Sequence, residues 1–130
     1  MNRRRFLSSL LLAGIATPAL SQSHNGVGII LVGASWCVFC KSAAPVLAAM
    51  TENSGIPVLV ASQDARPIPP FPTVVDAREH PIASTIRTLP TTLVYSQGRN
   101  EIVGQVVGYR NARHYAQSVA HAVNSVNGGV

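Results

Sequence analysis

Residues 27–32 read Val-Gly-Ile-Ile-Leu-Val and residues 56–61 read Ile-Pro-Val-Leu-Val-Ala, without a charged side chain in either run. Runs this short and this uniformly apolar predict strands buried on both faces, in the middle of a sheet. Between them, Ala43, Ala44, Val46, Leu47 and Met50 recur at helical spacing, which predicts a helix from residue 38 to about residue 53. Pro45 removes one hydrogen bond from that helix, and Gly55 is a candidate for the residue just past its end. Strand, helix and strand at this spacing form a βαβ unit, with parallel strands and a right-handed crossover. Residues 91–95 and 101–107 are two more apolar runs around a turn containing Gly98, which predicts a hairpin. Gly104 and Gly108 mark a bulge and a close backbone approach. Asn111 is a candidate N-cap for a last helix over residues 112–126, whose buried stripe is Tyr115, Val119, Ala122, Val123 and Val126.

Two segments do not follow these periods. Residues 66–72 contain Pro67, Pro69, Pro70 and Pro72, which forbid helix and favour extended geometry. This segment is either a stiff surface loop or a wall beside a functional site that selects partners. The second reading gives Ile68 and Phe71 something to cover. Residues 73–76 have the composition of a short strand, and residues 80–87, with Pro81 near the start, that of one or two helical turns.

The N-terminus has a different character. Arg3, Arg4 and Arg5 precede a mostly apolar stretch over residues 6–16, and Ala19-Leu20-Ser21 offers small residues for cleavage. That order is the order of a secretory signal, and the stretch is too short for a comfortable membrane span. Arg3-Arg4-Arg5-Phe6-Leu7 also matches the bacterial twin-arginine signal. The expected organisation is therefore a signal over residues 1–21 and one domain over residues 22–130, exported to the periplasm and without stable membrane association after cleavage. The full chain has a formal charge of +5. Three of its ten basic residues and none of its five acids fall in the signal, leaving seven against five, a net +2. Arg66, Arg78, Arg87, Arg99, Arg110 and Arg113 are scattered without interleaved aromatics, so nucleic-acid binding is not expected.

Both cysteines of the chain, Cys37 and Cys40, lie where the first strand hands over to the first helix. A helix N-terminus has unpaired N–H groups and the positive end of the dipole, which favour a thiolate. Cys37 is therefore the expected nucleophile. Cys40, three residues on and on the same face, can resolve a mixed disulfide formed at Cys37. A loop this short makes a weak structural staple. A zinc site needs two further ligands, and His80, His114 and His121 have no matching spacing. Covalent haem attachment needs a histidine where Lys41 stands. No metal, nucleotide or organic cofactor is expected.

Trp36-Cys37-Val38-Phe39-Cys40-Lys41, followed by Ala44-Pro45, resembles the thioredoxin family, and Leu89-Pro90-Thr91 resembles that family's second landmark. The resemblance spans about residues 27–126. It implies a thioredoxin-like α/β fold, a mixed central sheet of about four strands flanked by helices. It implies a cis bond before Pro90 and a docking edge formed by Leu89 and Pro90, where an incoming peptide pairs with the backbone. It gives Trp36 the role of shielding the pair and packing against partners. The family carries a buried aspartate six residues before its first cysteine, and here that position is Leu31. The expected activity is disulfide exchange with exported protein thiols or disulfides. The protein would act as a monomer, with a redox partner that resets the pair. Two other readings stay open: a binding or chaperone-like module with a non-catalytic disulfide, and a dedicated reductant for cytochrome or metalloenzyme maturation.

Overall fold

Strand β1 (Val27–Gly33) is buried along its whole length and is paired on both edges, with β2 (Val58–Ser62) in parallel and with β4 (Thr91–Ser96) antiparallel. The structure, a computed structural model, describes residues 26–128. The expected signal over residues 1–21, with Arg3, Arg4 and Arg5, lies outside the described residues. The sheet is completed by β3 (Val75–Asp76), parallel to β2, and by β5 (Glu101–Val107), antiparallel to β4, in the order β3-β2-β1-β4-β5. Helices α1 (Val38–Thr51) and α2 (Ala112–Gly128) complete the chain.

Because strand side chains alternate, β1 supplies two cores at once. Val27, Ile29 and Leu31 face α1 and α2, where they meet Ala43, Ala44, Leu47, Tyr115, Val119 and Val123. Ile30 and Val32 face the other side, with Ala61, Leu93, Ala77 and Ala83. Each fully buried Leu, Ile or Val contributes about 1.5–3 kcal/mol, so β1 alone accounts for a large part of the favourable burial.

Three details differ from the sequence reading. The sheet has five strands, the fifth being the two-residue β3 that closes the Pro-rich segment. Both α-helices lie on one face; the other is covered by two three-residue 3-10 helices, Ala77–Glu79 and Ala83–Thr85. Local acceptors keep these turns short. Asp76 accepts the Arg78 N–H at 2.9 Å, and His80 Nδ1 accepts the N–H groups of Ile82 and Ala83 at 3.2 and 3.1 Å. Finally, α1 stops at Thr51, so Gly55, with φ +79°, closes the following turn instead of capping the helix directly.

The hairpin forms in the expected place, but its left-handed residue is Asn100 (φ +54°) and not Gly98. Asparagine tolerates that region, and here its side chain accepts the Tyr95 hydroxyl at 2.6 Å. The register shifts between Val94 and Tyr95, leaving Val103 as the extra residue of a bulge beside Gly104. Among the described residues, no helix is long and apolar enough to cross a membrane.

Candidate active site

At the C-terminal end of β1 the chain turns through Ala34, Ser35 and Trp36 into α1. One carboxylate holds this turn. Asp64, in the loop after β2, accepts the Ser35 N–H at 3.1 Å, the Ser35 hydroxyl, and the Ser62 hydroxyl at 2.7 Å. The Ser35 and Ser62 hydroxyls keep the Asp64 carboxyl well below the usual carboxylate range. The next residue, Ala65, has φ +58°, a backbone conformation that costs an L side chain about 1–2 kcal/mol. The loop accepts that strain where it presents Asp64 to the turn.

Cys37 is the N-cap of α1. Its N–H donates to the Ala34 carbonyl at 3.2 Å, and its carbonyl accepts the Lys41 N–H at 3.0 Å. Its Sγ accepts the Cys40 N–H at 3.2 Å. A donor N–H of the first helical turn is therefore aimed at the sulfur, and the bond gains strength when the sulfur is ionised. Both thiols are free. They are not equally accessible: Cys37 retains 7% exposure and Cys40 none. Burial first, and then the hydrogen bond with Cys37, push the Cys40 thiol up to about 12.

Leu89 packs with Ala34, Cys37 and Cys40, so the structure brings it together with both cysteines. The Leu89–Pro90 bond is cis. The Pro90 carbonyl accepts the Gly108 N–H at 2.7 Å, which ties this corner to the end of β5. Among the described residues, neither backbone group of Leu89 has a hydrogen-bond partner. Trp36, next to Cys37, is 63% exposed, so most of its indole faces solvent while Leu89 packs against the thiol cluster.

Two contacts beneath the thiols were not visible in the sequence. A Cβ added at Gly33 would lie 2.9 Å from Cys40 Sγ and 3.1 Å from Ile68 Cδ1. The glycine therefore makes room for the buried thiol. Ile68 is fully buried there, and Phe71 packs against the same core. Phe71 N–H bonds the Ile68 carbonyl at 3.0 Å across Pro69–Pro70, which is cis. The Pro-rich segment is thus fixed beside α1, where Pro69 and Pro70 share a surface groove with Lys41 and Pro45.

The position where the thioredoxin resemblance places an aspartate is filled by Leu31, fully buried. Across the strand pair from Leu31 stands Thr92, whose hydroxyl pairs with the Tyr115 hydroxyl at 2.6 Å. Burial first pushes the Tyr115 hydroxyl up to about 12. Among the described residues the buried polar side chains are Ser62, Thr91, Thr92 and Ser96, none of them a carboxylate. A cavity of about 410 Å³, lined by Gly28, Pro57, Leu59, Ile82 and Tyr95 among others, opens at the other end of β1 and includes none of these site residues.

A family model described as TraF, F plasmid transfer operon protein, matches residues 16–111. No curated protein matches the chain by sequence. Among solved structures, the chain is similar to a Chlorobium tepidum protein assigned as the thiol:disulfide interchange protein DsbE, at 21% identity and TM-score 0.57, over 77% of this chain and 82% of that one. It is also similar to the thioredoxin of Schistosoma mansoni, at 22% identity and TM-score 0.52, over 76% and 80% of the two chains. A thioredoxin of Malassezia sympodialis gives 22% identity and TM-score 0.50, over 75% and 76%. At these identities the likeness is one of fold, a thioredoxin-like α/β fold.

Proposed function

The chain belongs to the TraF family, and from that membership and the geometry of its thiols we propose that it is a thiol-disulfide oxidoreductase acting on exported proteins. One observation carries the reading: Cys37 Sγ stands at the mouth of α1 and receives a backbone N–H, while Cys40 is sealed one turn behind it. That asymmetry separates a nucleophile from a resolving thiol.

In the reducing direction, the Cys37 thiolate attacks one sulfur of a partner disulfide. The S–S bond breaks, and the leaving sulfur takes a proton from water. A mixed disulfide now joins Cys37 to the partner. Cys40 then gives up its proton, its sulfur attacks Cys37 Sγ, and the partner leaves as a dithiol. The two electrons end on the partner, and the protein ends with a Cys37–Cys40 disulfide. Oxidation of a partner dithiol is the same sequence reversed. Resolution is the step expected to limit exchange, because Cys40 is fully buried and its neighbour Leu31 offers no carboxylate to take the proton.

The unpaired Leu89 backbone suits an extended partner segment that adds alongside it, a mode that tolerates many sequences. The arginine-rich lead and cleavable apolar stretch support action in the periplasm, by a monomer reset by a separate redox partner. The experiment is a pair of variants. Cys37→Ser is expected to lose exchange with a model disulfide entirely, and Cys40→Ser to accumulate mixed disulfides resolved on non-reducing gels. Exchange by Cys37→Ser at the parental rate would sink the proposal. The reduction potential then gives the direction, with about −120 mV marking an oxidant and about −270 mV a reductant.

A further inference from the structure

The fold brings three of the scattered basic residues to the redox pair, Arg87 and Arg110 on its β4–β5 side and Lys41 on the side of Pro69 and Pro70. Lys41 is in the first turn of α1, beside Cys40. Arg87 lies two residues before Leu89. Arg110 follows Gly108, whose N–H holds the Pro90 carbonyl. All three are exposed, and among the described residues none has an acidic partner within ion-pair distance. The acids are elsewhere. Glu52 lies past the far end of α1, and Glu101 at the far end of the sheet, beside Arg99. Asp64, Asp76 and Glu79 are at the thiol end but on the β2–β3 side. Of these, Asp64 is held by Ser35 and Ser62, and Asp76 by Arg78 at 2.7 Å. The β4–β5 side of the redox pair therefore carries Arg87 and Arg110 without ion-pair partners. Around Cys37 itself the surface is apolar: Trp36, Val38 and Phe39 are 63%, 68% and 56% exposed.

We propose that the substrate segment is an extended acidic polypeptide whose cysteine is flanked by apolar residues, laid along Leu89 between Arg87 and Arg110. This rests on the oxidoreductase reading above. The apolar neighbours of the substrate cysteine cover Trp36, Val38 and Phe39. Its backbone pairs with the free N–H and carbonyl of Leu89. Its carboxylates, further out on the strand, meet Arg87 and Arg110. Apolar contact at the centre with charge at the rim is the usual anatomy of a selective interface, and the rim charge acts on the rate of encounter. Exported partners with basic flanks are repelled.

The test uses cysteine peptides with one apolar core and Asp/Glu, Ser or Lys flanks, each blocked as a mixed disulfide with 2-mercaptoethanol. Reduced full-length protein is mixed with each, and peptide release is followed by chromatography. At about 10 mM salt the acidic peptide is expected to react about tenfold faster than the Ser peptide and the Lys peptide more slowly still; at about 1 M salt the three converge. The Arg87→Gln/Arg110→Gln double variant is expected to lose most of the acidic-to-Lys ratio, and Arg110→Glu to narrow it alone. Hydroxyethyl disulfide, small and uncharged, is the control for the parent protein. If the reduced parent cannot reduce it and the oxidised parent cannot oxidise 2-mercaptoethanol either, the oxidoreductase reading fails. If either reaction runs, but the three peptides react within about twofold of one another at low salt, or the Lys peptide reacts fastest, this inference is overturned.

Discussion

Gly33 and Asp64 show how single residues set the geometry of the pair without taking part in the chemistry. The space a Cβ at Gly33 would need is taken by Cys40 Sγ and Ile68 Cδ1, both of fully buried residues. Gly33→Ala is therefore expected to destabilise the fold by about 1–3 kcal/mol through overpacking, read from chemical denaturation of the reduced protein. An unchanged midpoint would mean that Cys40 has room to move. Asp64 acts from outside. Its folded-state pKa is lowered, so the stability it supplies is present above the unfolded value, about 3.9, and is lost as pH falls toward the folded one. The stability gap between the parent and Asp64→Asn should thus be widest near neutral pH and close as the pH falls from about 4 downward. A gap that stays constant with pH would remove the carboxylate charge from the account. Neither role was legible in the sequence. Gly33 merely follows an apolar run in the sequence, and Asp64 lies 29 residues from Ser35, a pairing that only the fold creates.

The elements themselves were far more legible, for a physical reason. Strands β1 and β2 are central, so they have no solvent face and no polar positions to break their runs. Helix α2 has one buried stripe, and Tyr115, Val119 and Val123 marked it at the right spacing. The 3-10 helices were harder, because their length is set by side-chain acceptors in Asp76 and His80 and not by a hydrophobic period. Equally hidden was the polar joint between α2 and β4, the Tyr115–Thr92 pair, made of residues 23 apart. Thr92 is fully buried, so Tyr115→Phe leaves its hydroxyl without a partner and is expected to cost about 1–3 kcal/mol, whereas Tyr115→Phe with Thr92→Val should recover most of the loss. Equal destabilisation by the single and the double variant would show that ring packing, not the hydroxyl pair, anchors the helix.

At the scale of the whole molecule, the fold class, the parallel pair around α1, the hairpin and the position of the thiols followed from pattern and resemblance, while the distribution of charge around the site did not. The proposed export is a property of the whole chain, and one replacement separates its two routes. Replacing Arg3, Arg4 and Arg5 with lysine keeps the positive lead but removes the arginine signature. Periplasmic protein is expected to disappear in cell fractionation if the twin-arginine route is used; undiminished periplasmic protein would point to ordinary secretion. One further property comes from Trp36, which is the single tryptophan of the chain, adjoins Cys37 in sequence and is largely exposed. Indole emission is sensitive to solvent polarity and is quenched by a nearby disulfide. The protein should therefore emit at long wavelength, with an intensity that falls when the dithiol is oxidised and returns on reduction. No second indole would blur that signal, so the chain carries its own optical gauge of redox state, readable without a label.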